Sequence, residues 1–163
     1  MLGTISELGA ELARREWILR SGGSPGADIA FELGCDRAGG RKEIFLPWPG
    51  FNGSDSPLFE IPAAALEIAK RIHPHLNRRN WKVRKLRARN VCQILGASLD
   101  SPADVVLAWT AGGEVSGGSA TVLHIAEERG IPVINLGQPK YADADYRYLL
   151  APILDAGVRR TTR

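Results

Sequence analysis

The stretch DVVLAWTAGGEVSGGSAT, residues 104–121, decides how this chain is read. Val105, Val106, Leu107 and Ala108 form an unbroken apolar run, the pattern of a strand buried on both faces. A glycine-rich segment follows at once, and residues 121–129 then have helical character, with Gly130 as the stop. The next buried strand is PVINL, residues 132–136. Strand, glycine turn, helix and strand in that order form a βαβ unit.

The same order occurs nearer the N-terminus. Ser6 caps a helix running to about Arg15, with Leu8, Leu12 and Ala13 at helical spacing. Trp17 to Ser21 reads as a short strand that hands over to SGGSPGAD, residues 21–28. Ser24 is the expected N-cap of the next helix and Pro25 its first residue. Ala27, Ala30 and Phe31 form its buried stripe, and Gly34 is the expected stop. Residues 42–46 read as a strand closed by the turn Pro47–Gly50, and FNGSDSP, residues 51–57, reads as a loop. Further helices are expected over 62–72, 83–95 and 143–154. Alternating strands and helices predict an α/β fold: an open, mostly parallel Rossmann-like sheet with helices on both faces. One domain is expected over residues 1–157, followed by a basic tail at 158–163.

No run approaches the ~20 apolar residues of a membrane span. The start lacks the basic-then-apolar pattern of a signal peptide. Cys35 and Cys92 are far apart and lack metal-ligand spacing, which fits a cytoplasmic chain with free, buried thiols. The net charge is only +3, yet residues 78–90, RRNWKVRKLRARN, hold seven basic residues and no acid. Phosphates are the natural partners of such a local positive field.

In an open parallel sheet, ligands bind beyond the carboxyl ends of the strands, and both glycine segments fall there. In the first, Gly22, Gly23 and Gly26 let a ligand approach the backbone, and Ser21 and Ser24 add hydroxyls. Asp28, one turn into the helix, either accepts from a sugar hydroxyl or steadies the helix start. The second comes close to a Walker A loop, with Gly112, four residues and then Gly117. Gly118 stands where the lysine belongs and Ser119 follows, so triphosphate hydrolysis is disfavoured. An anion cradle remains at a helix N-terminus, made of Gly112, Gly113, Gly117, Gly118, Ser119 and Thr121.

SGGSPGAD, KEIFLPWPGFNGSDSP, RKLRARN and the stretch 104–136 together resemble, in order and spacing, the phage and bacterial members of the SLOG superfamily. These are the Rossmann-like proteins related to YpsA and to the DNA-processing protein DprA (Smf). The resemblance covers residues 6–137. It implies a nucleotide-type ligand, or a nucleic-acid end, held across the two loops, with Arg89 and Asn90 matching an Arg–Asn pair on a helix of the DprA family. It also implies a setting in DNA processing or phage-related signalling. Two departures stand. The strand that usually precedes the first helix is missing here, and it would sit centrally in the sheet. The glutamate that follows the Gly-Gly-x-Gly-Thr turn of the related phosphoribohydrolases has no counterpart directly after Thr121.

Two other functions compete. Arg84, Lys85 and Arg87 on one helix make single-stranded DNA the alternative partner, with salt-dependent affinity; Trp81 either stacks on a base or, as the preferred reading, serves a core or interface. Cleavage of a nucleotide N-glycosidic bond is the other, and it needs a positioned carboxylate. His73 and His75 read as surface residues and His124 as structural, so no metal site and no cofactor are expected. Trp109, Tyr148 and the gap left by the missing strand point to a homo-oligomer.

Overall fold

Ile5, Leu8 and Leu12 lie on one helical face, and the first helix, α1 (Leu2–Arg14), buries all three. Because that stripe begins at Ile5, the helix starts before Ser6, and Ser6 lies inside it rather than capping it. The computed structural model describes residues 1–115 and 118–161. A short strand follows, β1 (Leu19–Ser21), and then α2 (Ala27–Arg37). The N-cap of α2 is Gly26 at φ 101°, not Ser24, because the Ser24 amide donates to Asp28 Oδ2 (3.1 Å) and keeps the chain turning for two more residues.

Gly34, expected as a stop, lies within α2, where it serves packing. A Cβ there would collide with the Ser6 carbonyl of α1, and a Cβ at Gly9 would lie 2.8 Å from the Phe31 carbonyl. The two helices therefore cross through reciprocal glycine contacts. Gly34→Val is expected to lower stability by about 3 kcal/mol, because backbone rather than a movable side chain must give way. A fall in the urea midpoint at unchanged slope is the measurement.

The strand β2 (Lys42–Ile44) pairs parallel with β1, with Leu19 opposite Lys42 and Ser21 opposite Ile44. Two helices follow. The first, α3 (Ala63–Ile72), buries Ala65 and Ala69; the second, α4 (Trp81–Leu95), begins at Asn80, whose side chain accepts from the Val83 amide at 3.0 Å. Ala88, Val91, Cys92 and Leu95 form the buried stripe of α4. The strand β3 (Val106–Ala108), the helix α5 (Ser119–Glu128) and the strand β4 (Val133–Asn135) complete the unit read from the sequence, with Val106 opposite Val133. The last helix, α6 (Tyr146–Thr161), extends past residue 157, where the tail was expected to begin.

The α/β character and the parallel pairing are as expected, but the single open Rossmann-like sheet flanked on both faces is not formed. The strands make two separate two-stranded sheets, β1–β2 and β3–β4. Each strand pairs with its neighbour in sequence across a helical crossover, α2 in one case and α5 in the other. The apolar side chains gather in two clusters. One joins α1, α2 and α6 with Ile134, Leu136, Leu19 and Leu107; the other joins α3, α4 and α5 with Phe45, Val106 and Ala108. Successive residues of β3 thus divide between the clusters, as the two-residue strand period requires. Among the described residues no helix is long and apolar enough to cross a membrane. Cys35 and Cys92 are free and buried.

Candidate ligand-binding cleft

The centre of the site is set by helix α4, whose buried stripe carries two polar residues, Arg89 and Asn90, each less than a tenth exposed. Arg89 Nη1 donates to the Gly22 carbonyl and, at 3.2 Å, to the Phe45 carbonyl; Nη2 reaches Ser24 Oγ at 3.3 Å. Its Nε donates to Asn90 Oδ1 at 2.9 Å, and Asn90 Nδ2 donates to the Gly118 carbonyl at 2.9 Å. Adjacent residues of one helix therefore fasten both glycine loops, which follow β1 and β3. A Cβ at Gly22 would run into the Arg89 guanidinium, so any side chain there would displace Arg89 from its carbonyl partners.

Between the loops and the two sheets lies a cavity of about 1150 Å³. Ser21, Ser24, Asp28, Arg89, Asn90, Gly118 and Ser119, all proposed from the sequence, line it. Gly23 and Gly26 line a smaller cavity of about 530 Å³ beside α1 and α2. Gly112 and Gly113 lie in a tight turn at φ 64° and 80°. Thr121 is fully buried, with its hydroxyl 2.8 Å from His73 Nε2. Gly117 lies outside the described residues.

Loop one already holds carboxylates. Glu32 Oε1 accepts from Ser21 Oγ (2.5 Å) and the Gly23 amide (3.2 Å), while Asp28 takes the Ser24 amide. The Gly23 and Ser24 amides are thus already taken by carboxylates of the chain itself. Positive potential at the loops comes from the Arg89 guanidinium, itself hydrogen-bonded to loop one and Asn90, and from the start of α5, whose N-cap, Gly118, makes no side-chain cap bond. No carboxylate among the described residues forms a salt bridge with Arg89. Burial lowers its affinity for the proton, opposed by the nearby charges of Asp28, Cys92 and Glu32.

Burial also raises the pKa of Glu32 above its ordinary 4.5, with Asp28 adding to the rise and the Ser21 and Gly23 hydrogen bonds opposing it. Above 4.5 and up to the raised value, the folded chain keeps a proton that the unfolded chain has released. This carboxyl thus favours the fold at low pH, and that contribution is lost as pH rises through its folded pKa. Glu32→Gln is expected to remove the loss while keeping an acceptor for Ser21 and Gly23. Urea midpoints measured from pH 4 upward should show the wild type falling relative to the variant.

Sequence reasoning missed four residues of this region. Glu32 lies one helical turn after Asp28, a spacing that places both on one face of α2. Asn135, the polar residue of PVINL, holds the second loop: its Oδ1 accepts from the amides of Thr110 (3.2 Å) and Gly137 (3.1 Å), and its Nδ2 donates to Thr110 Oγ1 (2.7 Å) and the Gly113 carbonyl (3.1 Å). Asn52 of the FNGSDSP loop donates to the Gly23 carbonyl at 2.8 Å. Phe51 lies under the Arg89 guanidinium at 5.5 Å and meets Trp48 edge-on, and Trp48 in turn meets Trp81.

The basic residues of α4 do not share one solvated face. Lys85 is exposed, but Arg84 and Arg87 are half-buried, and Arg87 lines the cavity. Arg84 Nε is buried without a hydrogen-bond partner among the described residues. His73, expected on the surface, is half-buried against Thr121; burial and the charges of Arg87 and His124 lower its pKa. Trp109 and Tyr148 are exposed. Among the described residues no group of three or more His, Cys, Asp or Glu side chains is placed to hold a metal ion.

Fold and site together define an α/β protein with a cleft clasped between two glycine loops by an Arg–Asn pair. Compared with protein-family models, curated proteins and solved structures, the chain has no match.

Proposed function

We propose that the cleft binds a nucleotide or a nucleotide-derived phosphate ligand, as the resemblance to the YpsA and DprA relatives implies. The observation that carries this reading is Arg89: a buried cation with no salt bridge among the described residues, lining a large cavity and fastened to loop one directly and to loop two through Asn90. The phosphate meets the Arg89 guanidinium and the start of α5 at Gly118 and Ser119, where charge-assisted hydrogen bonds are available. The sugar hydroxyls meet Asp28 and Glu32, acceptors already held on loop one. A setting in DNA processing or phage-related signalling belongs to the same proposal, as does association of the chain with itself.

Native mass spectrometry of the purified protein tests this reading, because a tightly held nucleotide copurifies as a defined mass increment and the subunit number is read at the same time. The apo mass alone, unchanged by added nucleoside phosphates, contradicts it. The alternative, single-stranded DNA, is favoured by Arg84, Lys85 and Arg87, and it requires affinity that falls steeply with salt. An N-glycosidase would in addition release free base from nucleoside monophosphates.

A further inference from the structure

The FNGSDSP loop is fastened to the cleft at both of its ends. Asn52 lies in the left-handed region at φ 52°, a conformation that asparagine tolerates better than most side chains. From there its amide donates to the Gly23 carbonyl of loop one at 2.8 Å. At the other end Ser56 Oγ donates to the Ile44 carbonyl at 2.6 Å, and the Leu46 amide donates to the Leu58 carbonyl at 2.8 Å. This anchoring sets Phe51 beside Arg89. The Phe51 ring is half-buried, lines the same cavity as Arg89, Ser24 and Asp28, and has its centroid 5.5 Å from the guanidinium carbon. Trp48 meets it edge-on, with centroids 5.1 Å apart and planes at 89°, and Trp81 meets Trp48 at 5.4 Å. None of the three aromatic residues belongs to either apolar cluster. The row is therefore not part of the packing that holds the helices to the strands.

We propose, resting on the nucleotide reading of the cleft, that Phe51, backed by Trp48, is the surface against which the nucleobase of the ligand packs. The three parts of a nucleotide need three kinds of surface. The phosphate needs a cation, the sugar hydroxyls need acceptors, and the base needs a flat apolar wall. Arg89 and the carboxylates of Asp28 and Glu32 supply the first two; Phe51 is the aromatic residue that lines the cavity next to them. Its place also suits the ligand's dimensions, because phosphate and base are separated by a single sugar and the guanidinium lies against both Ser24 and the Phe51 ring. The edge-on contact with Trp48 and the tether at Asn52 hold the ring in place before a ligand arrives. Every base has a π face, so the site discriminates nucleotides from sugar phosphates without a base rather than one base from another.

The probes are adenosine 5′-monophosphate and ribose 5-phosphate, which differ by the base alone, titrated calorimetrically into the same protein. The wild type should bind the nucleotide at least about tenfold more tightly than the sugar phosphate, the scale of one base–aromatic contact. Phe51→Leu keeps an apolar side chain but loses the π face, and it should bring the two affinities within about threefold of each other, while Phe51→Tyr should restore the difference. A ring that only supports loop one would lower both affinities together and leave their ratio unchanged in Phe51→Leu. If that variant does not fold, the indole N–H resonance of Trp48 in the wild type decides: it should shift with the nucleotide and not with the sugar phosphate. An unchanged ratio in Phe51→Leu, equal binding of both probes by the wild type, or a Trp48 resonance indifferent to the base would overturn the proposal and leave the phosphate site standing. Failure of both probes to bind would overturn it together with the nucleotide reading.

Discussion

Arg89→Ala is expected to abolish nucleotide binding and to lower stability by about 3 kcal/mol. The stability loss follows because the carbonyls of Gly22 and Phe45 and the side chain of Asn90 lose their common donor inside the protein, and each buried unsatisfied group costs ~1–3 kcal/mol. The binding loss follows because the buried Arg89 cation lines the cleft, held on loop one directly and on loop two through Asn90. Arg89→Lys separates the two effects. A lysine keeps the charge but cannot present the planar fork that reaches two carbonyls, Ser24 and Asn90 together. It should recover part of the stability, and the variant should bind nucleotide at least about tenfold more weakly than wild type. Denaturant titration and equilibrium binding on the same samples check both.

Asn135→Ala carries the second large effect, about 3 kcal/mol of stability. Four hydrogen bonds converge on this one side chain, and its removal leaves the buried amide of Thr110 and that of Gly137 without partners. The loss should be concentrated in the second glycine loop. Amide exchange of Gly113 and its neighbours should accelerate while that of the α1–α2 pair stays unchanged. Uniform acceleration across the chain would show that Asn135 supports the whole fold rather than the loop.

The sequence made part of this organisation legible, and the physics explains which part. Buried strands announce themselves through runs such as Val105–Ala108, and glycine turns through composition, so the α/β class and both loops could be read in advance. Helix boundaries were less legible where packing outweighed local signals. Gly34 looked like a stop, yet it is the contact surface for α1. Asp28, not Ser24, sets the turn before α2. That the strands fall into two separate pairs could not be read from periodicity, because a strand with an open edge has the same apolar pattern as a paired one. The Arg89–Asn90 pair was reached only through a family resemblance, and its meaning is geometric: two polar residues within a buried stripe. Glu32 escaped notice because a glutamate in a helix is ordinarily solvated, and only the fold turns it onto Ser21 and Gly23. The basic run 78–90 shows the opposite failure. Composition grouped Arg84, Lys85 and Arg87, while the helix separates the exposed lysine from its half-buried neighbours.

The central claim is that Arg89, together with loops one and two, grips a nucleotide. Titration of nucleoside mono- and diphosphates into isotopically labelled protein, followed through the Arg89 Nε–H and the backbone amides, tests it most directly. The account predicts saturable shifts confined to Arg89, the Ser21–Asp28 loop and residues 118–120, and their absence in Arg89→Lys at the same ligand concentrations. Shifts restricted to Lys82, Lys85 and other exposed basic residues, or no saturable shift with any member of the panel, would contradict it.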